Sequence, residues 1–270
     1  MPAPVHIRFV RNSPDEGPAR LAPIATALGC TFDEVGTYDA DPLEGYEPGM
    51  VFVVLGGASG ANDDTEPLMR CRALARKCIL EDIPYLGICL GMQVLGVVAG
   101  EDLVKLKERE IGFRRPDGGA YFTRLTKSGK KSPLLKGLSD EFPVFHLHGD
   151  GVRLRNHVDR MLDTDAEEMT HKVIPPAPSD KRRGAGQGAE LLAYGQWPSQ
   201  IIAVGPRQFG LQGHFEVDEP TLRDWYATVG WLKEELTLEE LLADYRAAEE
   251  QMTAVVEGIM KNFVGMGGRG

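Results

Sequence analysis

The sequence has 270 residues, of which 42% are hydrophobic and 26% charged, a composition typical of a globular protein with a sizeable core. Its formal net charge of −10 argues against a surface for nucleic acid or anionic membranes. No stretch approaches the roughly 20 apolar residues of a membrane span, and the N-terminal segment lacks the pattern of a signal peptide. We therefore expect a cytoplasmic protein with neither a nucleic-acid nor a membrane partner.

The first hundred residues alternate between strand and helix patterns. Apolar runs predict strands at 5–12, 31–38, 50–57 and 83–88. Apolar spacing predicts helices at 13–29, at 65–81 with Thr65 as its N-cap, and at 90–100. Because such alternation builds sheets covered by helices, the sequence predicts an α/β fold with an open, mostly parallel sheet flanked by helices.

After Gly100 the predicted strands are shorter and more polar, and turns join them. They lie at 103–113, 121–126, 142–150, 190–195, 200–205 and 209–215. The stretch 155–188 is rich in Pro, Gly and charge, which predicts a long surface loop inserted between strands. Residues 218–263 read as a C-terminal helical segment. We treat 1–270 as a single domain.

The four cysteines match neither a C-x-x-C metal pair nor a dense disulfide framework, so we expect no metal and no cofactor. Cys30, Cys71 and Cys78 are expected to be small buried side chains in a reducing compartment. The remaining cysteine is Cys89, which two glycines flank where a strand pattern becomes a helix pattern.

The stretch "GICLG" fits a nucleophile elbow, with Cys89 on a tight strand-to-helix turn between Gly87 and Gly91. The N-terminus of the following helix would favour a thiolate and offer the N–H of Leu90 to a developing oxyanion. The alternative is a small buried residue, with glycines that serve only helix–sheet packing.

A cysteine nucleophile needs a base, and the sequence contains six histidines. In "GLQGHFE" a predicted strand would place His214 and Glu216 on one face, so the carboxylate could orient the imidazole. The alternative is a surface pair at a strand end. In "FHLHGD" His146 and His148 alternate in the same way. Three histidines are expected to be surface or structural residues: His6, His157 and His171.

Four motifs, "VLGGASG", "LGICLGMQ", "HGD" and "GLQGHFE", together resemble those of the class I (triad) glutamine amidotransferases. The likeness is greatest to stand-alone proteins similar to the glutaminase domain of GMP synthase, and it runs from about Met50 to the C-terminal helices. It implies a flavodoxin-like fold in which Cys89 attacks the glutamine amide to form a γ-glutamyl thioester. It also implies that His214 is the general base and acid, and that Glu216 orients it.

The resemblance assigns further residues to the pocket. The oxyanion hole would use the backbone N–H groups of Gly57 and Leu90. The substrate site would be lined by Gln93, His148 and Asp150, where an acidic group suits the α-ammonium of glutamine. The stretch 110–113, "EIGF", resembles a loop beside the same pocket.

The chain also departs from the family pattern. Gly213 and Phe215 stand where Phe and Pro are more usual around the histidine, and Ala58 replaces a common Pro. The insertion at 155–188 follows "HGD" where the family has a short connection, and it would be a lid, a partner-docking element or merely tolerated length.

The resemblance implies hydrolysis of L-glutamine, with ammonia passed to a separate acceptor. No G-x-x-x-x-G-K-[ST] phosphate-binding run is found, so a synthetase partner protein is expected, or plain hydrolysis. The alternatives are a γ-glutamyl hydrolase acting on γ-glutamyl amides and a non-catalytic regulatory subunit of the same fold. A redox or chaperone-type protein with a cysteine elbow would not need the late His-x-Glu. A homo-oligomer is possible.

Overall fold

A computed structural model describes residues 4–155, 166–167 and 188–267. Most of the predicted insertion at 155–188 therefore lies outside the described residues, as do His157 and His171. Within the described ranges, no helix is both long and apolar enough to cross a membrane.

The first part of the chain alternates between strands and helices as predicted. Its elements are β1 (His6–Arg11), α1 (Leu21–Ala27), β2 (Thr31–Gly36), β3 (Val51–Val54), α2 (Glu66–Glu81), β4 (Tyr85–Ile88) and α3 (Leu90–Val98). The remaining elements are β5 (Asp102–Gly112), β6 (Phe122–Leu125), a 3₁₀ turn (Gly129–Lys131), β7 (Glu141–Pro143), β8 (His146–Arg153), β9 (Ala166–Glu167), β10 (Glu190–Tyr194), β11 (Ile201–Ala203), β12 (Gln208–Leu211), α4 (Glu219–Thr228), α5 (Gly230–Glu235) and α6 (Leu238–Val264).

The main sheet has nine strands in the order β2-β1-β3-β4-β12-β11-β10-β6-β7. The first five are mutually parallel, and their order is the flavodoxin-like one with β12 as the fifth strand. The other four continue the sheet in antiparallel pairing. The predicted α/β fold with an open sheet flanked by helices is confirmed.

The two faces of the parallel strands carry separate cores, as the two-residue period of a strand requires. Val51 and Val53 of β3 pack with α1 and α6, whereas Phe52 and Val54 pack with α2 and α3. Helices therefore cover both faces of the sheet, and the loops at its carboxyl edge are the part left free to form a site.

A second, antiparallel sheet in the order β8-β5-β9 was not predicted as a separate unit. Its central strand, β5, spans 11 residues and agrees to within one residue at each end with the strand predicted at 103–113. A register shift between Lys105 and Glu110 divides its pairing with β8.

The predicted helix at 13–29 was also wrong in its first half, because α1 begins only at Leu21. Pro14, Gly17 and Pro18 disfavour helix there, and the segment instead turns, with the Glu16 N–H donating to Ser13 O. Thr65 does precede α2 as predicted, but its side chain makes no capping hydrogen bond.

The contact between α3 and the sheet depends on one glycine. A Cβ placed on Gly91 would lie 2.2 Å from the carbonyl oxygen of Val54 in β3, a backbone atom that cannot swing aside. The buried hydroxyl of Tyr85 also donates to the Gly91 carbonyl, at 2.8 Å. Gly91 thus lets the first turn of α3 rest directly on the sheet.

We predict that Gly91→Ala destabilises the fold by at least about 1–3 kcal/mol, because the new methyl group must push α3 away from β3. The matched control is Gly230→Ala, at a helical glycine around which nothing lies within 4 Å of the added Cβ. Chemical denaturation of both variants measures the difference. Equal unfolding free energies would contradict the steric argument.

Candidate active site

Cys89 lies on the sharp turn that joins β4 to α3, as the elbow pattern predicted. Its backbone has φ 49° and ψ −107°, a left-handed conformation that costs a non-glycine residue of order 1–3 kcal/mol. Its N–H donates to the Leu211 carbonyl at 2.8 Å, which fixes the turn to β12. A Cβ on Gly87 would lie 2.4 Å from the backbone of Gly91, so both predicted glycines are sterically required.

His214 is brought to Cys89 by a turn after β12 rather than by a strand. The strand ends at Leu211, so the expectation that His214 and Glu216 share a strand face was wrong. The His214 N–H instead donates to Phe145 O at 2.8 Å in an isolated antiparallel bridge. The turn still places His214 Nδ1 2.7 Å from Glu216 Oε1, with both side chains buried.

The electrostatics favour a charged His214 ring. Burial lowers the pKa of His214, but the charges of Glu216 and Cys89, together with hydrogen bonds to both, outweigh it and hold the pKa well above its ordinary value. Because Glu216 engages Nδ1, the opposite ring nitrogen, Nε2, is the one left for the sulfur. Trp225 of α4 packs edge-on against the His214 ring, at 4.8 Å between ring centroids.

The two unusual neighbours of His214 have steric reasons. A Cβ on Gly213 would lie 2.2 Å from a methyl carbon of Val144, so no larger residue fits unless that side chain moves. Phe215 is buried and packs edge-on against Phe142 at 5.9 Å. Both residues anchor the turn that carries His214 against the residues just before β8.

The predicted oxyanion-hole residues lie side by side. A Cβ on Gly57 would be 2.9 Å from Leu90 Cδ2, so the loop after β3 touches the start of α3. Gly56, rather than Gly57, lies directly over the reactive side chains, since its Cβ would be 3.0 Å from His214 Cε1 and 3.7 Å from Cys89 Cβ.

The three residues expected to line the substrate site form a connected group. Gln93 Nε2 and His148 Nδ1 each lie 3.0 Å from the backbone oxygen of Asp150. Gln93 is buried in the first turns of α3, and the side chain of His148 is only 1% exposed. Asp150 is half-buried in β8. The group therefore ties α3 to the second sheet.

Glu16 was missed by sequence reasoning, because its segment was read as helix. A Cβ on Gly56 would lie 2.7 Å from Glu16 Oε2 and 3.0 Å from His214 Cε1, so the carboxyl group is close to the His214 ring. That oxygen is buried without a hydrogen-bond partner among the described residues. The available signal was its place after β1, at the carboxyl edge where parallel strands collect functional groups.

Glu110, His146 and His148 form a second buried cluster behind the site. Burial alone would raise the pKa of Glu110, but the two histidines and the Trp197 N–H lower it to about 2. Burial lowers the pKa of His146 to about 3 against the opposing charge of Glu110. The three side chains are the one group of potential metal ligands found among the described residues.

Two kinds of sequence comparison relate this chain to known proteins. A family model described as "Glutamine amidotransferase class-I" matches residues 29–181. A 71-residue segment is 39% identical to the glutamine-hydrolysing GMP synthase of Elusimicrobium minutum, and a 70-residue segment is 40% identical to that of Nitratiruptor sp.. Each alignment covers 26% of this chain and only 12% of the relative.

Solved structures share the fold over nearly the whole chain. A glutamine amidotransferase from Thermotoga maritima superposes with a TM-score of 0.72 at 22% identity, covering 96% of this chain and 98% of that one. A glutamine amidotransferase from Methylobacillus flagellatus gives 0.71 at 20% identity, covering 99% and 96%. At these low identities the superpositions establish only the fold. The assignment of the chain to a family rests on the family model.

Because the Glu16 carboxyl is buried, the stability of the fold should fall as the pH rises. Its pKa is raised to about 7, chiefly by burial, so ionising the carboxyl costs the folded state more than the unfolded one. The stabilisation associated with the neutral form is complete below about pH 4.5 and is lost as pH rises through about 7.

Glu16→Gln should therefore gain stability relative to the wild type over that pH range, by up to about 3 kcal/mol. The measurement is the free energy of unfolding from pH 4 to pH 8, and the control is Glu234→Gln, at an exposed carboxylate that does not contribute to the shift of Glu16. Parallel curves for wild type and Glu16→Gln would sink this account of the residue.

Proposed function

Because the chain belongs to the class I glutamine amidotransferase family, we propose that it hydrolyses the side-chain amide of L-glutamine through a thioester on Cys89. The observation that carries the proposal is the position of the His214 ring, which is hydrogen-bonded to Glu216 at Nδ1 and lies, with the Cys89 side chain, against the same glycine, Gly56. A cysteine, a base and an orienting carboxylate in this order form a nucleophilic triad.

In the proposed first step the Cys89 thiolate attacks the amide carbon of glutamine, a C–S bond forms, and the carbonyl electron pair moves onto oxygen. The N–H groups of Leu90 and Gly57 would stabilise that oxyanion, which the contact between their segments supports. Collapse of the tetrahedral intermediate breaks the C–N bond. The nitrogen leaves as ammonia after accepting a proton from the His214 imidazolium.

In the second step His214, now neutral, takes a proton from water as the water oxygen attacks the thioester carbon. The C–S bond breaks, the thiolate is restored and glutamate leaves. Throughout, Glu216 keeps the proton on Nδ1 and stabilises the imidazolium each time it forms. Gln93, His148 and Asp150 are proposed to shape the wall that receives the amino-acid end of glutamine.

We further propose that the ammonia is delivered to an acceptor on a separate synthetase protein. The curated relatives are named GMP synthases, and the aligned segment is a small part of each.

All four cysteines are free thiols, two of them buried with raised pKa values, which supports the proposed cytoplasmic location.

We predict that Cys89→Ala abolishes ammonia release from L-glutamine while the protein stays folded, because a small side chain still fits the elbow. The control is Cys30→Ala, which removes a half-buried thiol remote from the triad motifs. The assay compares ammonia release with circular dichroism for both variants. Glutamine turnover by Cys89→Ala at the wild-type rate would remove the thioester mechanism.

Covalent labelling tests the same nucleophile even if a partner is needed for turnover. A glutamine-analogue electrophile should add its mass to the peptide that contains Cys89 and to no other cysteine peptide. An unlabelled Cys89 in the folded wild-type protein would favour a non-catalytic regulatory subunit. Faster cleavage of a γ-glutamyl amine than of glutamine would instead indicate a γ-glutamyl hydrolase.

We expect His214→Ala to lower kcat/KM by several orders of magnitude, because the thiol then lacks its base and the leaving nitrogen its acid. Glu216→Gln should lose less, since the amide can still accept a hydrogen bond from Nδ1 but carries no charge to stabilise the imidazolium. Steady-state kinetics of the two variants give the comparison. An equal, small loss in both would be incompatible with these roles.

A further inference from the structure

Glu110, His146 and His148 each place one potential ligand atom at the corner of a small triangle behind the proposed triad. His148 Nε2 lies 2.8 Å from Glu110 Oε2 and 3.2 Å from His146 Nδ1, and the third side of the triangle, from His146 Nδ1 to Glu110 Oε2, is 3.4 Å. All three side chains are at most 4% exposed. Glu110 comes from β5 and the two histidines from β8, so the paired strands themselves hold the triangle together.

The contact between His148 Nε2 and Glu110 Oε2 lacks a donor hydrogen when the His148 ring is neutral. His148 Nδ1 faces the backbone oxygen of Asp150 at 3.0 Å, so this nitrogen carries the proton that it donates. In a neutral His148 ring, Nε2 then presents its lone pair to Glu110 Oε2. The same lone pair faces His146 Nδ1, which carries either a lone pair or a hydrogen atom. Unless a cation lies between them, His148 Nε2 and Glu110 Oε2 meet lone pair to lone pair at 2.8 Å, and a metal ion bound by all three atoms removes that repulsion.

The dimensions fit a metal ion. Zinc bound at about 2.0–2.1 Å in tetrahedral geometry sets its ligand atoms about 3.3 Å apart, and the observed sides are 2.8, 3.2 and 3.4 Å. The outer contacts are those that metal sites require. His148 is held by the Asp150 carbonyl through its other nitrogen, and Glu110 Oε1 accepts the Trp197 N–H at 2.6 Å.

We propose that Glu110, His146 and His148 bind a divalent transition-metal ion, with Zn²⁺ as the best fit. Two imidazole nitrogens are borderline ligands that suit zinc, and with only one carboxylate the set is poor in the hard oxygen ligands that Mg²⁺ and Ca²⁺ prefer. Gln200 is the nearest candidate for a fourth ligand. Its Nε2 lies 3.3 Å from Glu110 Oε2, and its Oε1 is buried without a hydrogen-bond partner among the described residues.

The ion would act on the proposed active site in two ways, by fixing His148 in the pocket wall and by fixing the backbone next to His146. Phe145, the residue before His146, accepts the backbone N–H of His214 at 2.8 Å. Fixing the first residues of β8 therefore fixes the backbone of the proposed base. No local pattern predicts the cluster, because the glutamate stands 38 residues before His148 and the histidines are spaced H-x-H.

The test is a Co²⁺ titration of the full chain, purified without a histidine tag and stripped with a chelator. We expect one equivalent to produce the strong visible absorption of four-coordinate cobalt, with no sulfur-to-cobalt charge-transfer band, and Zn²⁺ to abolish that absorption by displacement. Absorption no stronger than that of free Co²⁺ would overturn the proposal and leave a proton in the triangle. A charge-transfer band would overturn it by assigning the ion to the thiols.

Variants locate the ion. His146→Gln and Glu110→Gln should each weaken Co²⁺ binding at least about 100-fold, whereas His6→Gln, at a partly exposed histidine outside the cluster, should bind like the wild type. Unchanged binding in both cluster variants would contradict the assignment. The wild-type titration decides the question even if a variant fails to fold, and neither readout depends on glutaminase activity.

Discussion

The close approach of α3 to the parallel sheet is the constraint on which the rest of the site depends. Gly91 brings the first turn of the helix against the Val54 carbonyl, and Gly87 clears the same space from the strand side. The chain must then turn within one residue, which forces Cys89 to a φ of 49°. Backbone strain at Cys89 therefore follows from how closely α3 packs against the sheet.

The charged groups at that edge of the sheet surround the imidazole ring of His214. Glu216 holds the ring from one side and Cys89 meets it on the other, so burial does not suppress its positive charge. Glu16 lies beside the same ring and shows the opposite balance, because burial dominates and raises the pKa of its carboxyl to about 7. A carboxyl group with a raised pKa thus lies beside an imidazole with a raised pKa, and such perturbed groups cluster at functional sites.

The second sheet helps to hold the backbone of His214 in place. The bridge between Phe145 and His214 joins the residues before β8 to the turn after β12. Directly behind it, Glu110 and the two histidines of β8 converge, while Gln93 reaches across to the Asp150 carbonyl. His214 is therefore supported by two sheets at once, and a change at the cluster should reach it by shifting the backbone before β8.

Residue types and short spacings determined much of this protein from the sequence alone. Apolar runs separated by helical periods indicated the parallel sheet, and a cysteine between two glycines indicated the elbow, because both patterns reflect local backbone geometry. The His214–Glu216 pair was also predicted, although for the wrong reason. A two-residue separation allows the contact in a strand and, as here, in a turn.

Only the tertiary structure decided which distant segments meet. Glu16, Gly56, Cys89 and His214 follow four different strands, and their proximity comes from the order β1-β3-β4-β12, which no local pattern encodes. The same holds for Glu110 and His148, whose pairing depends on the register between β5 and β8. Long-range strand pairing is settled by the burial of whole faces, so the sequence determined the chemical groups and the fold determined their neighbours.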